Sequence, residues 1–231
     1  MKTAYLALAI VAILVVAGVA AAALSARPSG HNSTTSAAKP IILYVNQGNG
    51  RVDQTNFDQL VEFATGHGFN TVFFQVYRSG DLLFNTTQLT FFVLQAHLGH
   101  LKIFFALYFT NISEQIPTSI YQLGEDGISL DMSSLPYSTQ VSLLAALKSQ
   151  YYDGLSAVTT TNFTSTLTPD LLILETYGPQ YEPYIHSGII ASVGVFETQS
   201  RQDYQQQFQY ALANSDGVMV FDYAGLVSRG Y

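Results

Sequence analysis

Short apolar runs alternate with longer segments of helical periodicity along most of this chain. The first apolar run, "IILYV" at 41–45, precedes "NFDQLVEFATGHG", where Phe57, Leu60 and Ala64 recur at helical spacing and a glycine ends the pattern. The same succession continues to the last residues. The later runs are "NTVFFQVY", "KIFFALYF", "DGISLDM", "GLSAVTT", "DLLILETY", "GIIASVGVFET" and "DGVMVFDY".

Eight such runs, separated mostly by helical segments, predict an α/β fold, a compact (β/α)8 TIM-like barrel. Such a barrel usually takes about 200 residues or more, and residues 40–231 fall just short of that. We therefore expect one or more helices to be short or missing, between the fourth and seventh runs. The alternative is an open doubly wound sheet, but "NQGNGR" after the first run has neither G-x-G-x-x-G nor a Walker lysine.

The first 39 residues do not follow this alternation. Residues 3–26 carry no charge and are long enough to cross a bilayer, so residues 1–26 predict a signal peptide or a transmembrane anchor that precedes the barrel as a hydrophobic helix. Residues 27–39 are rich in Ser and Thr and predict a linker. The domain at 40–231 is therefore expected to be exported, and either secreted or held at the cell-surface membrane by the N-terminal segment.

The composition narrows the set of partners. Nine Lys and Arg against sixteen Asp and Glu give a formal net charge of −7, and no basic cluster is present, which argues against nucleic acid as a partner. The chain has no cysteine, so disulfides and thiolate metal sites are excluded. Export would make glycosylation possible at the Asn-x-Ser/Thr sequons, which begin at Asn32, Asn85, Asn111 and Asn162.

Polar and acidic residues follow the ends of the predicted strands. In a (β/α)8 barrel these ends meet at one mouth, where the active site lies. The catalytic candidates are the carboxylates Asp131, Glu175, Glu197 and Asp222. The substrate-binding candidates are Tyr44, Asn46, Gln75, Tyr77, Arg78, Asp81, Tyr108, Tyr177 and Tyr223.

This combination of residue types is typical of glycoside hydrolysis. One carboxylic acid protonates the leaving oxygen while a second carboxylate attacks the sugar or activates water. Repulsion between neighbouring carboxylates helps to raise the pKa of one of them, as the acid role requires. Aromatic rings stack on sugar faces, and amides and arginine hydrogen-bond sugar hydroxyls. The predicted ligand is therefore a carbohydrate, with no cofactor.

Two segments resemble a family of glycoside-hydrolase-like TIM barrels. "FFQVYRSGDLLF" is similar to that family's second-strand motif, and "DGISLDMSSLPY" to its fourth-strand motif. The resemblance implies a carbohydrate-active barrel with Asp131 in the fourth-strand catalytic position and with Gln75, Arg78 and Asp81 near the sugar. In the retaining barrels that this chain resembles, the acid/base follows the fourth strand and the nucleophile the seventh, which selects Asp131 and Glu197.

Glu175 and Asp222 would then support that pair, and whether the reaction retains or inverts configuration stays open. Met132 and Ser133 follow Asp131 where the family usually carries a second acid or an aromatic residue. This departure keeps an alternative open: a catalytically inactive barrel that binds glycans or forms part of the cell surface. The histidines, including those of "HLGH" at 97–100, do not have the spacing of a zinc site.

Overall fold

Nine strands form one sheet in the computed structural model, which describes residues 38–48, 50–150, 154–196 and 199–231. Eight of the strands are parallel to their neighbours, and β1 pairs with both β2 and β9, so the sheet closes into a barrel. The short β3 pairs antiparallel to β2. The strands are β1 (Ile41–Val45), β2 (Thr71–Arg78), β3 (Asp81–Leu82), β4 (Lys102–Tyr108), β5 (Gly127–Asp131), β6 (Leu155–Thr160), β7 (Leu171–Glu175), β8 (Ile190–Gly194) and β9 (Gly217–Phe221).

Five α-helices lie in the described parts of the chain. Two of them begin with a capping box, in which the N-cap side chain accepts a hydrogen bond from the backbone N–H three residues later, and the side chain of that residue accepts one from the backbone N–H of the N-cap. The pairs are Asn85 with Gln88 and Ser200 with Asp203. The predicted parallel barrel with helices is thereby confirmed. The helices are α1 (Phe57–Gly66), α2 (Thr86–Leu98), α3 (Tyr137–Gln150), α4 (Arg201–Asn214) and α5 (Tyr223–Ser228).

Three connections of the barrel lack an α-helix. A short 3-10 helix, Thr118–Ile120, lies between β4 and β5, and another, Pro179–Tyr184, lies between β7 and β8. Residues 161–170 between β6 and β7, all of them described, contain no helix. The sequence predicted two of these omissions, and the third occurs where Pro117 precedes the short 3-10 turn. Omitting these helices lets a barrel close in fewer residues than usual.

The barrel interior is a packed core. Because successive side chains of a strand point to opposite faces, alternate residues of each strand turn inward. The inward set fills the lower barrel with Ile42, Phe73, Phe104, Ile173 and Met219, all almost completely buried. The rings of Phe73 and Phe104 stack with their centroids 4.8 Å apart. A ligand can therefore reach only the ends of the barrel, not its centre.

One irregularity interrupts the alternation in β2. The register with β4 shifts between Gln75 and Tyr77, so that Val76 is an extra residue, as in a β-bulge. Val76 and Tyr77 both belong to the outer core between sheet and helices, whereas Gln75 and Arg78 line a pocket at the barrel mouth. The bulge thus places Arg78 at the mouth.

The N-terminal predictions fall outside the described residues. The hydrophobic segment at 1–26 and most of the linker at 27–39 lie there, and so does the sequon at Asn32. Among the described residues, no helix has both the length and the apolar character that crossing a bilayer requires. Export and membrane attachment therefore stay predictions.

Candidate active site

A pocket of about 240 Å³ opens at the carboxyl ends of the strands. Its floor is the packed interior of the barrel, and its rim comes from strand ends and the residues just after them. Many of the predicted site residues meet here. The predicted residues that line it are Tyr44, Asn46, Gln75, Arg78, Tyr108, Asp131, Glu175 and Tyr177, and the others are Ser133, Phe196 and Phe221.

Asp131 is the last residue of β5 and is buried, with 7% of its surface exposed. Gly127, Ser129 and Asp131 share the inward face of this strand, which explains how an apolar run can end in a carboxylate at the mouth. Two hydroxyls serve it: Ser133 Oγ donates to Oδ1 at 3.2 Å, and the Tyr44 hydroxyl lies 3.5 Å from Oδ2. Burial raises the pKa of Asp131 to about 6, although these hydrogen bonds oppose the shift.

Glu175 ends β7 on the same inward face as Ile173. Burial, and then the charge of Asp131, raises the pKa of Glu175 to about 7, while a hydrogen bond with Ser133 opposes the shift. Ser133 therefore reaches both carboxyl groups.

Two tyrosine hydroxyls complete this acidic cluster. Burial raises the pKa of Tyr44 well above its usual value, and the negative charges of Asp131 and Glu175 raise it further. Burial and Glu175 act on the pKa of Tyr177 in the same direction. Both phenols therefore stay protonated at neutral pH and remain available as hydrogen-bond donors.

Aromatic rings form a continuous wall along one side of the mouth. Phe221 lies between Tyr44 and Tyr177, with ring centroids 5.2 and 6.1 Å away. Tyr177 in turn meets the edge of Phe196 at 5.2 Å. The Phe196 ring occupies the space over Gly194, where a Cβ would lie 2.0 Å from the ring, so its position depends on that glycine.

The opposite side of the mouth is polar. The buried Gln75 side chain accepts a hydrogen bond from the backbone N–H of Gln47 at 2.9 Å, and Asn46 accepts one from Gly48 at 2.7 Å. Arg78 is the only basic side chain among the described residues that line the pocket. The site thus combines two carboxyl groups, an aromatic wall and a polar wall, a combination suited to an uncharged ligand with many hydroxyls.

Comparisons with solved structures find this arrangement of strands in glycoside hydrolases. A GH113 β-1,4-mannanase superposes with a TM-score of 0.53 at 10% identity, over 80% of this chain and 87% of the other. The GH113 β-mannanase from Alicyclobacillus acidocaldarius, in complex with ManMIm, gives 0.53 at 11% identity, over 79% and 86%. The structure of CpGH84B gives 0.53 at 8% identity, over 79% of this chain but only 44% of the other.

This chain has a TIM-barrel fold like that of these glycoside hydrolases. The resemblance seen in the sequence motifs is thereby confirmed for the fold. The sequence itself matches no protein family, and a comparison with the curated proteins also finds no match. Identities this low support the fold alone, so inferences about chemistry must come from the side chains that line the mouth.

Several predicted residues of this TIM barrel lie away from the pocket. Tyr77 is on the outer face, where its ring packs 5.3 Å from Phe109. Asp81 is exposed in β3. Asp222 caps α5 by accepting the Gly225 N–H at 2.9 Å. Tyr223 packs on Phe63 of α1, with ring centroids 5.1 Å apart. Glu197 lies outside the described residues.

The sequence interpretation missed three residues of the mouth: Ser133, Phe196 and Phe221. Strand alternation could have found Phe221, because Gly217, Met219 and Phe221 share the inward side of β9 and Asp222 does not. Ser133 follows its strand in a turn, where alternation gives no guidance. Within the described part of the chain, no group of three or more acids and histidines could hold a metal ion.

Proposed function

We propose that this protein is a glycoside hydrolase in which Asp131 and Glu175 form the catalytic pair. The observation that carries the proposal is the pair itself: the buried Asp131 and the half-buried Glu175 at the barrel mouth, both with raised pKa values and both beside the Ser133 hydroxyl. Carboxylates that serve only as surface ion-pair partners or caps have lowered pKa values, because donors or cations stabilise their charge.

The two carboxyl groups have environments that suit different roles. Glu175, with the higher pKa, about 7, keeps its proton near neutral pH and is assigned as the general acid for the leaving oxygen. Asp131 ionises first and receives hydrogen bonds from Ser133 and Tyr44, so we assign it as the nucleophile or base. Whether the reaction retains or inverts configuration depends on the separation of the two carboxyl groups, which is about 5 Å in retaining enzymes and about 6.5–9.5 Å in inverting ones.

The walls of the pocket are suited to a sugar ring. The rings of Phe196, Phe221 and Tyr177 offer apolar faces on which the C–H face of a sugar can stack. Asn46, Gln75 and Arg78 face them and supply amide and guanidinium groups for hydroxyls. A volume of about 240 Å³ suits one sugar unit rather than several.

The natural substrate we infer is a cell-surface or environmental polysaccharide, in keeping with the predicted export of the domain. Because the solved structures above include β-mannanases, β-1,4-mannan and its oligosaccharides are the first substrates to test. Aryl β-mannosides, β-glucosides and N-acetyl-β-glucosaminides complete the panel, together with cello-oligosaccharides.

The test is hydrolysis of this panel by the full chain and by Asp131→Asn and Glu175→Gln. We expect both variants to lose about 10²–10⁴-fold in kcat, since each removes a group that carries charge or a proton in the transition state. Asp58→Asn, an exposed aspartate of α1, is the matched control and should keep full activity.

Two outcomes would contradict the proposal. Unchanged hydrolysis in both variants would move the chemistry away from this pair, and Glu197 would then be the next residue to substitute. Glycan binding without hydrolysis of any panel member would instead support the inactive, glycan-binding barrel. Circular dichroism of each variant would separate a loss of activity from a loss of folding.

A further inference from the structure

A second and larger pocket adjoins the mouth. It has a volume of about 480 Å³ and lies between the segment after β7 and the first turns of α4. Tyr177 and Phe196 line both pockets, so they form the boundary between them. A ligand that fills the mouth can therefore continue past these two rings into the second pocket.

The second pocket contains amide oxygens that lack a partner. The side-chain Oε1 atoms of Gln199 and Gln207 are buried and have no hydrogen-bond partner among the described residues, although both side chains line the pocket. A buried acceptor without a partner is costly, so each such group needs an explanation. A ligand hydroxyl that donates to these oxygens would supply one.

The wall that carries Phe196 and Gln199 is held in place. The guanidinium of Arg229 donates hydrogen bonds to the backbone carbonyls of both residues. Next to them, the capping box of Ser200 and Asp203 fixes the start of α4. These hydrogen bonds restrain Phe196, Gln199 and the start of α4, and restrained side chains lower the entropy cost of binding.

The charge of the second pocket restricts its ligand. Glu182 and Asp203 are the charged residues that line it in the described part of the chain, and both are acidic. Together with the carboxyl groups of the mouth, they disfavour uronic acids and other anionic sugars. The phenol and phenyl rings at the boundary favour an uncharged sugar that can stack.

We propose that this second pocket binds the next sugar unit of a neutral glycan whose cleaved unit occupies the mouth. The inference rests on the proposed function and names its substrate class: a neutral oligosaccharide or polysaccharide chain, bound across Tyr177 and Phe196. The Gln199 and Gln207 amides accept hydrogen bonds from the hydroxyls of the second unit.

The test measures how affinity depends on chain length. Isothermal titration of the full chain carrying Glu175→Gln with manno- and cello-oligosaccharides of one to four units gives the dissociation constants without hydrolysis. For the better series, we expect Kd to fall about tenfold or more between one unit and two. Gln207→Leu in the same background should remove this gain and leave the affinity for one unit unchanged.

The matched control is Gln209→Leu, an exposed glutamine of the same helix that lines neither pocket, and it should keep the gain. If Gln207→Leu does not fold, Gln199→Ala serves in its place. Equal affinity at all lengths, an equal loss at all lengths in Gln207→Leu, or no binding of either series would overturn the proposal. So would tighter binding of oligogalacturonates, because they are anionic.

The two proposals fail in different ways. A wild-type chain that hydrolyses no panel member, but binds longer oligosaccharides better through Gln207, keeps the second pocket and loses the enzyme. A chain that hydrolyses short aryl glycosides, but gains nothing from length, keeps the enzyme and loses the second pocket.

Discussion

Two carboxylates near the ends of neighbouring strands lie beside tyrosines, yet their pKa values shift in opposite directions. Asp131 faces Tyr44 inside the barrel mouth, and burial raises its pKa to about 6. Glu114 faces Tyr77 on the outer side. Burial also acts to raise the pKa of Glu114, but hydrogen bonds from Thr110 and the residue after it outweigh burial and lower the pKa.

The difference comes from the number and geometry of the donors. Glu114 Oε1 accepts from Thr110 N at 2.9 Å, from Thr110 Oγ1 at 3.0 Å and from Asn111 N at 2.7 Å. The bonds to Asp131 from Ser133 and Tyr44 are longer, at 3.2 and 3.5 Å. The structure therefore gives one oxygen of the carboxylate that fixes a loop three close donors and gives the carboxylate at the mouth only long hydrogen bonds, and such weakly stabilised carboxylates are common at catalytic sites.

The largest expected effect is on stability at high pH. The pKa of Asp131 is higher in the folded protein than in the unfolded chain. Protonated Asp131 therefore stabilises the fold fully below about pH 4, and this stabilisation is lost as the pH rises through about 6. Asp131→Asn carries no such loss and should be about 2–3 kcal/mol more stable than wild type at pH 8, with no difference at pH 4. Urea unfolding at both pH values measures this, and an Asn variant that is less stable at pH 8 would contradict it.

The equivalent substitution outside the mouth should have the opposite effect and destabilise the folded protein. Glu114→Gln loses charge-assisted hydrogen bonds from Thr110 and Asn111, at a cost of about 1–2 kcal/mol at pH 7. Because the pKa of Glu114 is lowered, this cost should disappear as the pH falls below the folded pKa. Urea unfolding of Glu62→Gln, an exposed glutamate of α1, is the control. An effect that stays constant down to pH 3 would show that charge is not the cause.

A smaller change should follow when the mouth loses one of its donors. Ser133→Ala removes a hydrogen bond that lowers the pKa of both Asp131 and Glu175. The pH profile of hydrolysis, expected as a bell with limbs near 6 and 7, should move upward by about 0.5–1 pH unit. Ser133→Thr keeps the hydroxyl and should restore the profile. If Ala lowers kcat at every pH without moving the limbs, Ser133 only positions its neighbours.

The smallest effect is expected at the other end of the barrel. His97 Nε2 lies 2.9 Å from Asp126, and their hydrogen bond raises the pKa of His97. The stability that this hydrogen bond gives the folded protein is therefore complete below about pH 6.5, and it is lost as the pH rises through the pKa of His97 in the folded protein. The pair is partly exposed, so His97→Gln should cost only about 0.2–0.5 kcal/mol at pH 5.5 and nothing measurable at pH 9 in thermal unfolding. An equal cost at both pH values would exclude a role for the charge.

Strand order and barrel closure could be predicted from the sequence because apolar runs and helical segments alternate so regularly. The inward positions of Asp131 and Glu175 follow from the same alternation. Alternation alone would place Arg78 outward, because the extra residue in β2 reverses the faces of the residues after it, and its place at the strand end was what made it a candidate. Asp222 shows the reverse case: its alternation places it outward, and its role as a helix cap agrees with that position.

Residues after the strand ends were harder to predict. Ser133 and Phe196 lie in turns, where side-chain direction depends on the local backbone and on neighbours such as Gly194. The two-carboxylate interpretation selected Glu197 through a resemblance, whereas the described mouth brings Asp131 together with Glu175. The electrostatic coupling between Asp131 and Glu175 depends on their distance across the barrel, and the spacing of residues along the sequence does not give that distance.

The extra residue Val76 also determines what kinds of mutation the site can tolerate. Substitutions at Gln75 or Arg78 alter single side chains, but if β2 kept Val76 and lost the bulge, regular alternation would turn Tyr77 inward and Arg78 outward. The mouth would then lose its cation and gain a tyrosine in one step. Deletion of Val76 would instead remove the bulge and keep both side chains on their present faces, so engineering of this strand can remove the extra residue without exchanging its faces.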